Sequence, residues 1–319
     1  MKVLFVSSGN LKAYGIAPFI KVQGESLREK LIDITYFTIT GRGFVGYLSN
    51  VKTLREMLKS GEFDIIHAHF TLSAWVVILA YPKAPIVLSL MGTDAYGRVE
   101  KLVKNRNHLN LLTFSTILIQ PFVKKIISKS PNIEKFVWQK KKSHLLPNGV
   151  NVQEFYPTKY DFREELGLSK DKKYVLFLGN PKDPRKNFDL LKVTYEKLAL
   201  HNIEIVAPFP IPHAQVFKYL NSVDVLVMCS FEEGSPNVVK EGMACNCKGV
   251  FTDVGDVRYL VENTPGYAIS EFNATDLAQK IFEVMDMESC YGRQRLLDLG
   301  LDLPMVADKL INIYQEAIN

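Results

Sequence analysis

The chain has 319 residues, 47% hydrophobic and 23% charged, with four cysteines and a formal net charge of +5. That length and balance predict about two globular domains with cores of their own, and exclude a disordered, collagen-like or disulfide-stapled chain. No apolar run approaches the ~18 residues of a membrane span, and MKVLFVSS lacks a signal peptide's apolar stretch and cleavage site. A cytoplasmic location is expected, at most peripheral on the inner face of a membrane.

In chain order, short apolar runs alternate with amphipathic stretches. KVLFVSS (2–8) reads as a buried strand and IAPFIKVQGESLREK as the helix after it. IDITYFTI (32–39) is the next strand, followed by the helical YLSNVKTLREMLKS. FDIIHAHF (63–70) leads into a helix, and PIVLSLM (85–91) into a loop. FSTILIQP (114–121) and SHLLPNGV (143–150) read as strands closing this half. A polar, proline-bearing stretch at 151–165 reads as a linker. The pattern restarts at KKYVLFLGN (172–180) and continues through NIEIVAP, VDVLVMCS and KGVFTDV. Continuous apolar strands alternating with helices predict an α/β chain of two Rossmann-like, doubly wound parallel-sheet domains. A ligand is then expected at the carboxyl ends of the strands, facing a cleft between the halves.

Cys229, Cys245, Cys247 and Cys290 read as reduced thiols, since C-x-C at 245–247 lacks a second ligand pair. Seven lysines (Lys124, Lys125, Lys129, Lys135, Lys140, Lys141 and Lys142) interleave with apolar residues. The plain reading is a solvated helix face. The alternative is a peripheral contact with an anionic membrane through Lys124–Lys142. Nucleic acid is set aside because stacking aromatics are sparse there.

The segment SFEEGSPNVVKEGMACN (230–246) carries the most specific chemistry. Pro236 is placed like a first-turn residue, so a helix is expected to begin at Ser235 or Pro236. Free amides of Ser235, Pro236's neighbour Asn237, and Val238 would then form an anion site, and Gly234 allows close backbone approach. Glu233 and Glu241 bracket that site, each able to accept hydrogen bonds from pairs of sugar hydroxyls.

Glu233-GSPNVVK-Glu241, with G-x-P inside it, resembles the E-x7-E signature of the retaining GT-B glycosyltransferases of family 4. LLPNGVNVQEF (145–155), VDVLVMCSFEEG and TDVGDVRYLV (252–261) are similar to further segments of that family, and the resemblance runs along the whole chain. It implies the GT-B fold: an acceptor-side domain at 1–155, a nucleotide-sugar domain at 156–303, and a closing helix at 304–319 returning to the first domain. It implies that Glu233 holds the transferred sugar and Glu241 the nucleotide ribose, with Ser235, Pro236, Asn237 and Val238 around the diphosphate.

In GNPKDPRKN (179–187), Lys186 fits the family's lysine. Asn180 stands where its arginine is usual, and Arg185 is the candidate substitute for charge on the leaving phosphate. In the first half, Gly15 of the loop 7–19 matches the family's glycine loop. Gly92 and Asp94 of LMGTDAYG (90–97) resemble its H-G-x-D segment on the acceptor side, with Met91 at the histidine. His67 and His69 share one strand face. His69, nearer the strand's carboxyl end, is the catalytic candidate.

No D-x-D occurs, so neither a metal nor a cofactor is expected; the nucleotide sugar enters as substrate. The expected reaction is retaining transfer of a sugar, from a UDP-sugar in the first instance, to a sugar or lipid-linked hydroxyl in envelope polysaccharide or glycolipid synthesis. A nucleotide-sugar epimerase of the same architecture and a non-catalytic nucleotide-sugar-binding subunit stay open.

Overall fold

A computed structural model describes residues 1–10, 15–97 and 111–319. The chain divides into two compact units, Met1–Gly149 with Leu303–Asn319, and Val150–Asp302.

The first unit is built on β1 (Lys2–Ser8), β2 (Asp33–Ile39), β3 (Ile65–His69), β4 (Ile86–Leu90), β5 (Lys125–Ser128) and β6 (Ser143–Leu145). All pairings are parallel, in the order β2-β1-β3-β4-β5-β6. Val3, Leu4, Phe5 and Val6 are fully buried, and every residue of β3 and β4 is buried. Strands shielded on both faces need no polar alternation, which is why they read as largely apolar runs, with His67, His69 and Ser89 as buried polar exceptions.

The stretch 114–121, expected as a strand, is helical instead: a helix Leu111–Ile119 runs into a 3-10 turn Gln120–Phe122. A short apolar run does not distinguish the two forms by periodicity. The polar residues decide it, since Thr113, Thr116 and Gln120 recur at helical spacing and are buried together. The fifth strand is Lys125–Ser128. The basic segment is likewise no helix face. It comprises β5, a four-residue helix Pro131–Glu134, a 3-10 turn Lys140–Lys142 and β6.

The last helix, Leu303–Ile318, buries Val306, Ala307, Leu310, Ile313, Tyr314 and Ala317. That spacing is one helical stripe, and it packs on the helix Pro18–Glu29 and the strands β3 and β4. Ion pairs Lys30–Asp308 and Lys125–Glu316 flank it.

The second unit holds β7 (Lys173–Phe177), β8 (Ile203–Val206), β9 (Val225–Met228), β10 (Gly249–Thr252) and β11 (Tyr267–Ser270), parallel in the order β11-β10-β9-β7-β8. β11 has only four residues, two of them half-buried, too weak a signal to stand out in the sequence. The segment 151–165 is no free linker. Phe155 is buried, and the Arg293 guanidinium donates to the carbonyls of Val152 and Phe155.

The strand orders locate the functional ends. In the first unit the chain reverses direction across the sheet between β1 and β3, and in the second between β7 and β9. Loops leaving the carboxyl ends of such neighbouring strands diverge to opposite faces and leave a crevice for a ligand.

Candidate functional site

In the second unit the loops after β7 and β9 carry the acidic motif and its cations. After β7, Gly179–Asn187 turns back on itself. The Asn180 side chain accepts from the Lys182 amide, Asp183 accepts from the Arg185 amide, and Asn187 adopts a left-handed conformation before the helix Phe188–Ala199. The Phe231 amide donates to the Arg185 carbonyl at 2.8 Å, fastening this turn to the loop after β9. The two loops thereby bring Lys186 and Glu233 together: Lys186 Nζ lies 2.6 Å from Glu233 Oε1, with the Ser230 hydroxyl donating to the same oxygen at 2.9 Å. Thr252 at the end of β10 holds the Ser230 carbonyl at 2.7 Å. One carboxylate oxygen of Glu233 is thus fixed from two sides. Arg185 pairs with Asp183 in its own turn, at 2.8 Å and half exposed.

The helix after the acidic loop spans Asn237–Ala244 and begins later than expected: Pro236, with ψ of 118°, is the residue before it. Proline fixes φ without needing an amide partner, so it serves at the cap as well as in the first turn. The amides of Asn237, Val238 and Val239 are therefore the ones without intrahelical partners. Gly234 sits against Gly255 of the loop after β10. A Cβ on Gly255, itself at φ +62°, would fall 2.5 Å from the Gly234 carbonyl oxygen. This contact is the close approach the glycine pair permits.

Beneath the loop lies a buried chain of polar groups that sequence reasoning missed. Lys240, fully buried, donates to the Ser235 hydroxyl at 3.0 Å, and Ser235 donates to Asp256 at 2.6 Å. Burial lowers the Lys240 pKa to about 8, with Asp256 and Glu241 opposing; burial raises that of Asp256, with Lys240 opposing. Each charge is tolerated because the other is near. In the sequence Lys240 resembles any surface lysine beside a glutamate, and only its helical position, facing the sheet, reveals the role.

Glu241, one residue on, faces the other way. His213, at the start of the helix His213–Leu220 after β8, contacts it at 3.0 Å and packs edge-on to Phe155. The Glu241 hydrogen bond raises the His213 pKa, against the opposing effect of burial. Nothing in PIPHAQVF flagged this histidine.

In the first unit His67 and His69 do share one face, with rings stacked at 4.1 Å. Their roles differ. His67 is fully used: Nδ1 meets the Tyr314 hydroxyl at 2.6 Å and Nε2 the Ser89 hydroxyl at 2.7 Å, which ties the last helix to the sheet. His69, at the carboxyl end of β3, is buried, and neither ring nitrogen has a partner among the described residues. Burial, and then the charge of Lys129, hold its pKa well below the ordinary value. A neutral imidazole results, able to donate or accept one hydrogen bond. Gly15 is exposed at φ +65°.

Gly92, at φ +118°, shapes the turn after β4, which lets the Asp94 side chain fold back. Asp94 is fully buried. Oδ1 accepts the amides of Met91 and Gly92, and Oδ2 accepts the amide of Thr71. The carboxylate braces two loops and does not face outward.

Burial raises the Asp94 pKa to about 6, against the lowering by those amides. An acid whose folded pKa lies above its unfolded value near 3.9 stabilises the fold below the lower value, and loses that contribution as pH rises through the higher. The stability difference between the wild type and Asp94→Asn, measured by urea unfolding, should therefore widen in the wild type's favour as pH falls from about 6 to about 4. A gap that narrows over that window would refute the assignment.

The four thiols are free. Burial pushes the pKa of Cys229 and Cys245 up to about 12, so neither is a nucleophile near neutrality. Among the described residues no group of three His, Cys, Asp or Glu side chains is placed to hold a metal. No helix there is long and apolar enough to cross a membrane.

Against this geometry, comparison with known proteins gives consistent matches. The model of Glycosyltransferase Family 4 matches residues 21–154, and that of Glycosyl transferases group 1 matches residues 174–287. TuaC of Bacillus subtilis (strain 168), a glycosyltransferase provisionally named for teichuronic acid biosynthesis, is 26% identical over 241 residues. The match covers 68% of this chain and 60% of TuaC. The structure of sucrose-phosphate synthase from Thermosynechococcus elongatus superposes with a TM-score of 0.81 at 18% identity, covering 99% of this chain and 98% of that one. Anabaena Alr3699/HepE, solved in complex with UDP and glucose, gives 0.72 at 15% identity, with 99% of each chain covered.

Proposed function

We propose that this chain of GT-B fold is a glycosyltransferase, a reading its two family matches support, and that it moves a hexose from a nucleoside diphosphate sugar to a hydroxyl acceptor with retention at the anomeric carbon. One observation carries the donor reading: a carboxylate pinned between Lys186 and Ser230 stands directly before the unpaired amides of a helix start, at the switch point of a parallel sheet. Amides, helix dipole and Lys186 suit a pyrophosphate, and Glu233 suits the hydroxyls of the sugar it bears. Arg185 adds positive charge nearby once released from Asp183. The complex of Anabaena Alr3699/HepE with UDP and glucose supports UDP as the first nucleotide to test.

In the proposed reaction the bond from the anomeric carbon to the β-phosphate oxygen breaks, and a bond to the acceptor oxygen forms on the same face. The acceptor proton passes to the departing phosphate, giving nucleoside diphosphate and glycoside. No protein carboxylate forms a covalent intermediate in this reading. The residues of the second unit stabilise the leaving charge, and no metal is required. In this reading acceptor recognition belongs to the first unit, where neutral His69 offers a hydrogen bond to a hydroxyl and Gly15 stands exposed. Gly92 and Asp94 act indirectly, by bracing the turns after β3 and β4. The name of TuaC supports an envelope polysaccharide setting, and the lysines of 124–142 support an acceptor carried on an anionic membrane.

Thermal unfolding in the presence of UDP-, GDP- and ADP-sugars tests the donor, because a ligand bound only by the native state raises the midpoint. A shift with one base is expected, and no shift with any would remove the reading. Glu241→Ala separates the subsites. Losing two hydrogen bonds from a carboxylate to the ribose should weaken nucleotide binding by about 10- to 100-fold in calorimetry. The deoxyribose analogue should bind the variant no worse than the ribonucleotide does. Unchanged affinity would strip Glu241 of the ribose role and leave it a partner of His213 alone.

A further inference from the structure

The helix Leu111–Ile119 is turned inside out. It carries no charge, and its exposed stripe is apolar: Leu111 is 85% exposed, Phe114 52% and Leu118 47%. These positions stand at i, i+3 and i+7 and so project from one face. Phe122, in the following turn, is 60% exposed and Trp138 54%. The Trp138 indole donates to the Ile117 carbonyl at 3.0 Å, which sets its ring against the same helix. Meanwhile the polar residues point inward. The Thr116 hydroxyl donates to the Asp94 carbonyl and meets Thr71 at 2.7 Å, and buried Gln120 bonds the backbone at Phe136 and Trp138. A helix of a water-soluble surface has the opposite arrangement.

Around this ridge the charge is one-sided. From residue 111 to 145 the sequence has seven lysines and one acid, Glu134, which Lys140 and Ser143 occupy. Lys124, Lys135, Lys140 and Lys141 are exposed. Lys142 donates to the carbonyls of Gln120, Pro121 and Val123 and so fastens the basic turn to the end of the apolar helix.

We propose that this face is a membrane-docking surface: the ridge Leu111, Phe114, Leu118, Phe122 and Trp138 enters the interface of an anionic bilayer while the lysines engage lipid phosphates. An apolar stripe with a tryptophan beside it and lysines around it suits the headgroup boundary, where acyl chains and negative charge lie within a few ångströms. A second copy is a poorer occupant. A two-fold contact sets a patch against itself, and here lysines would face lysines. Among the described residues no helix is long and apolar enough to span a bilayer, so the proposed contact is peripheral.

Flotation of the full chain with vesicles of phosphatidylcholine, with and without added phosphatidylglycerol, tests the surface without any sugar donor. A failed donor assay therefore leaves the result standing, and the converse holds. Binding to the anionic vesicles is expected, weakening with salt, together with a blue shift of Trp138 emission read in a Trp75→Phe background. Phe114→Ser with Leu118→Ser, and separately Lys140→Gln with Lys141→Gln, should each lower partitioning at least about tenfold with the thermal midpoint unchanged. Equal binding to neutral and anionic vesicles would overturn the proposal. So would indifference to both double variants, or a wild-type dimer that the Phe114/Leu118 variant converts to monomer.

Discussion

Replacing Lys186 by alanine is expected to lower the transfer rate by about 10²- to 10³-fold, the usual loss when one preorganised group facing developing charge is removed. In the free enzyme its ammonium is 2.6 Å from Glu233 and about a quarter exposed. Solvent can therefore replace either partner, and the pair contributes little to stability. The fold should survive: the turn that carries Lys186 is held by Asn180, Asp183 and the Phe231 amide, none of which uses the lysine side chain. Nucleotide diphosphate affinity, measured by calorimetry, should fall less than turnover, because charge on the β-phosphate grows as the glycosidic bond breaks. Arg185→Ala is the control. Arg185 is engaged with Asp183, and its loss should cost less. Full activity in Lys186→Ala would remove the lysine from the reaction, and a larger loss in Arg185→Ala would transfer its role to the arginine.

The parallel-sheet architecture was legible in the sequence because buried strands write themselves as apolar runs, as in KVLFVSS and VDVLVMCS. Two segments misled for opposite reasons. FSTILIQP has a strand's composition but lies on a helix whose buried face is its polar one. YAIS is a true strand with too few residues to announce itself.

At the candidate site, the residues on loops after strands were visible because glycine and proline mark such turns and acids beside them stand out. Lys240, Asp256 and His213 were not. Their roles come from packing across the sheet, between residues up to 28 positions apart. Asp94 shows the converse. A motif gave it an acceptor-side position, and the fold turns its carboxylate inward onto three amides. Sequence spacing reports which loop a residue occupies. It does not report which way its side chain turns.

That distinction bears on Glu233→Ala, for which two effects of opposite sign are expected. Turnover should fall about 100-fold or more if the carboxylate holds the transferred sugar through charge-assisted hydrogen bonds, since losing two of them costs a few kcal/mol. Affinity for the nucleotide diphosphate without sugar should stay level or rise. The reason lies in the ion pair: Glu233 Oε1 occupies the Lys186 ammonium, and a phosphate must displace it. Removing the carboxylate frees the lysine and takes away a negative charge beside the helix start, both of which favour an anion.

A purely structural role for Glu233 predicts something else. If the carboxylate only staples the loop after β9 to the turn after β7, its loss would disorder the amides of Asn237 to Val239, and diphosphate affinity would drop with turnover. Calorimetry and steady-state rates on the one variant therefore decide between sugar recognition and loop support. Glu233→Gln sharpens the choice. The amide keeps the size and can still accept from Ser230, yet cannot balance Lys186, so loop order should persist while transfer stays low.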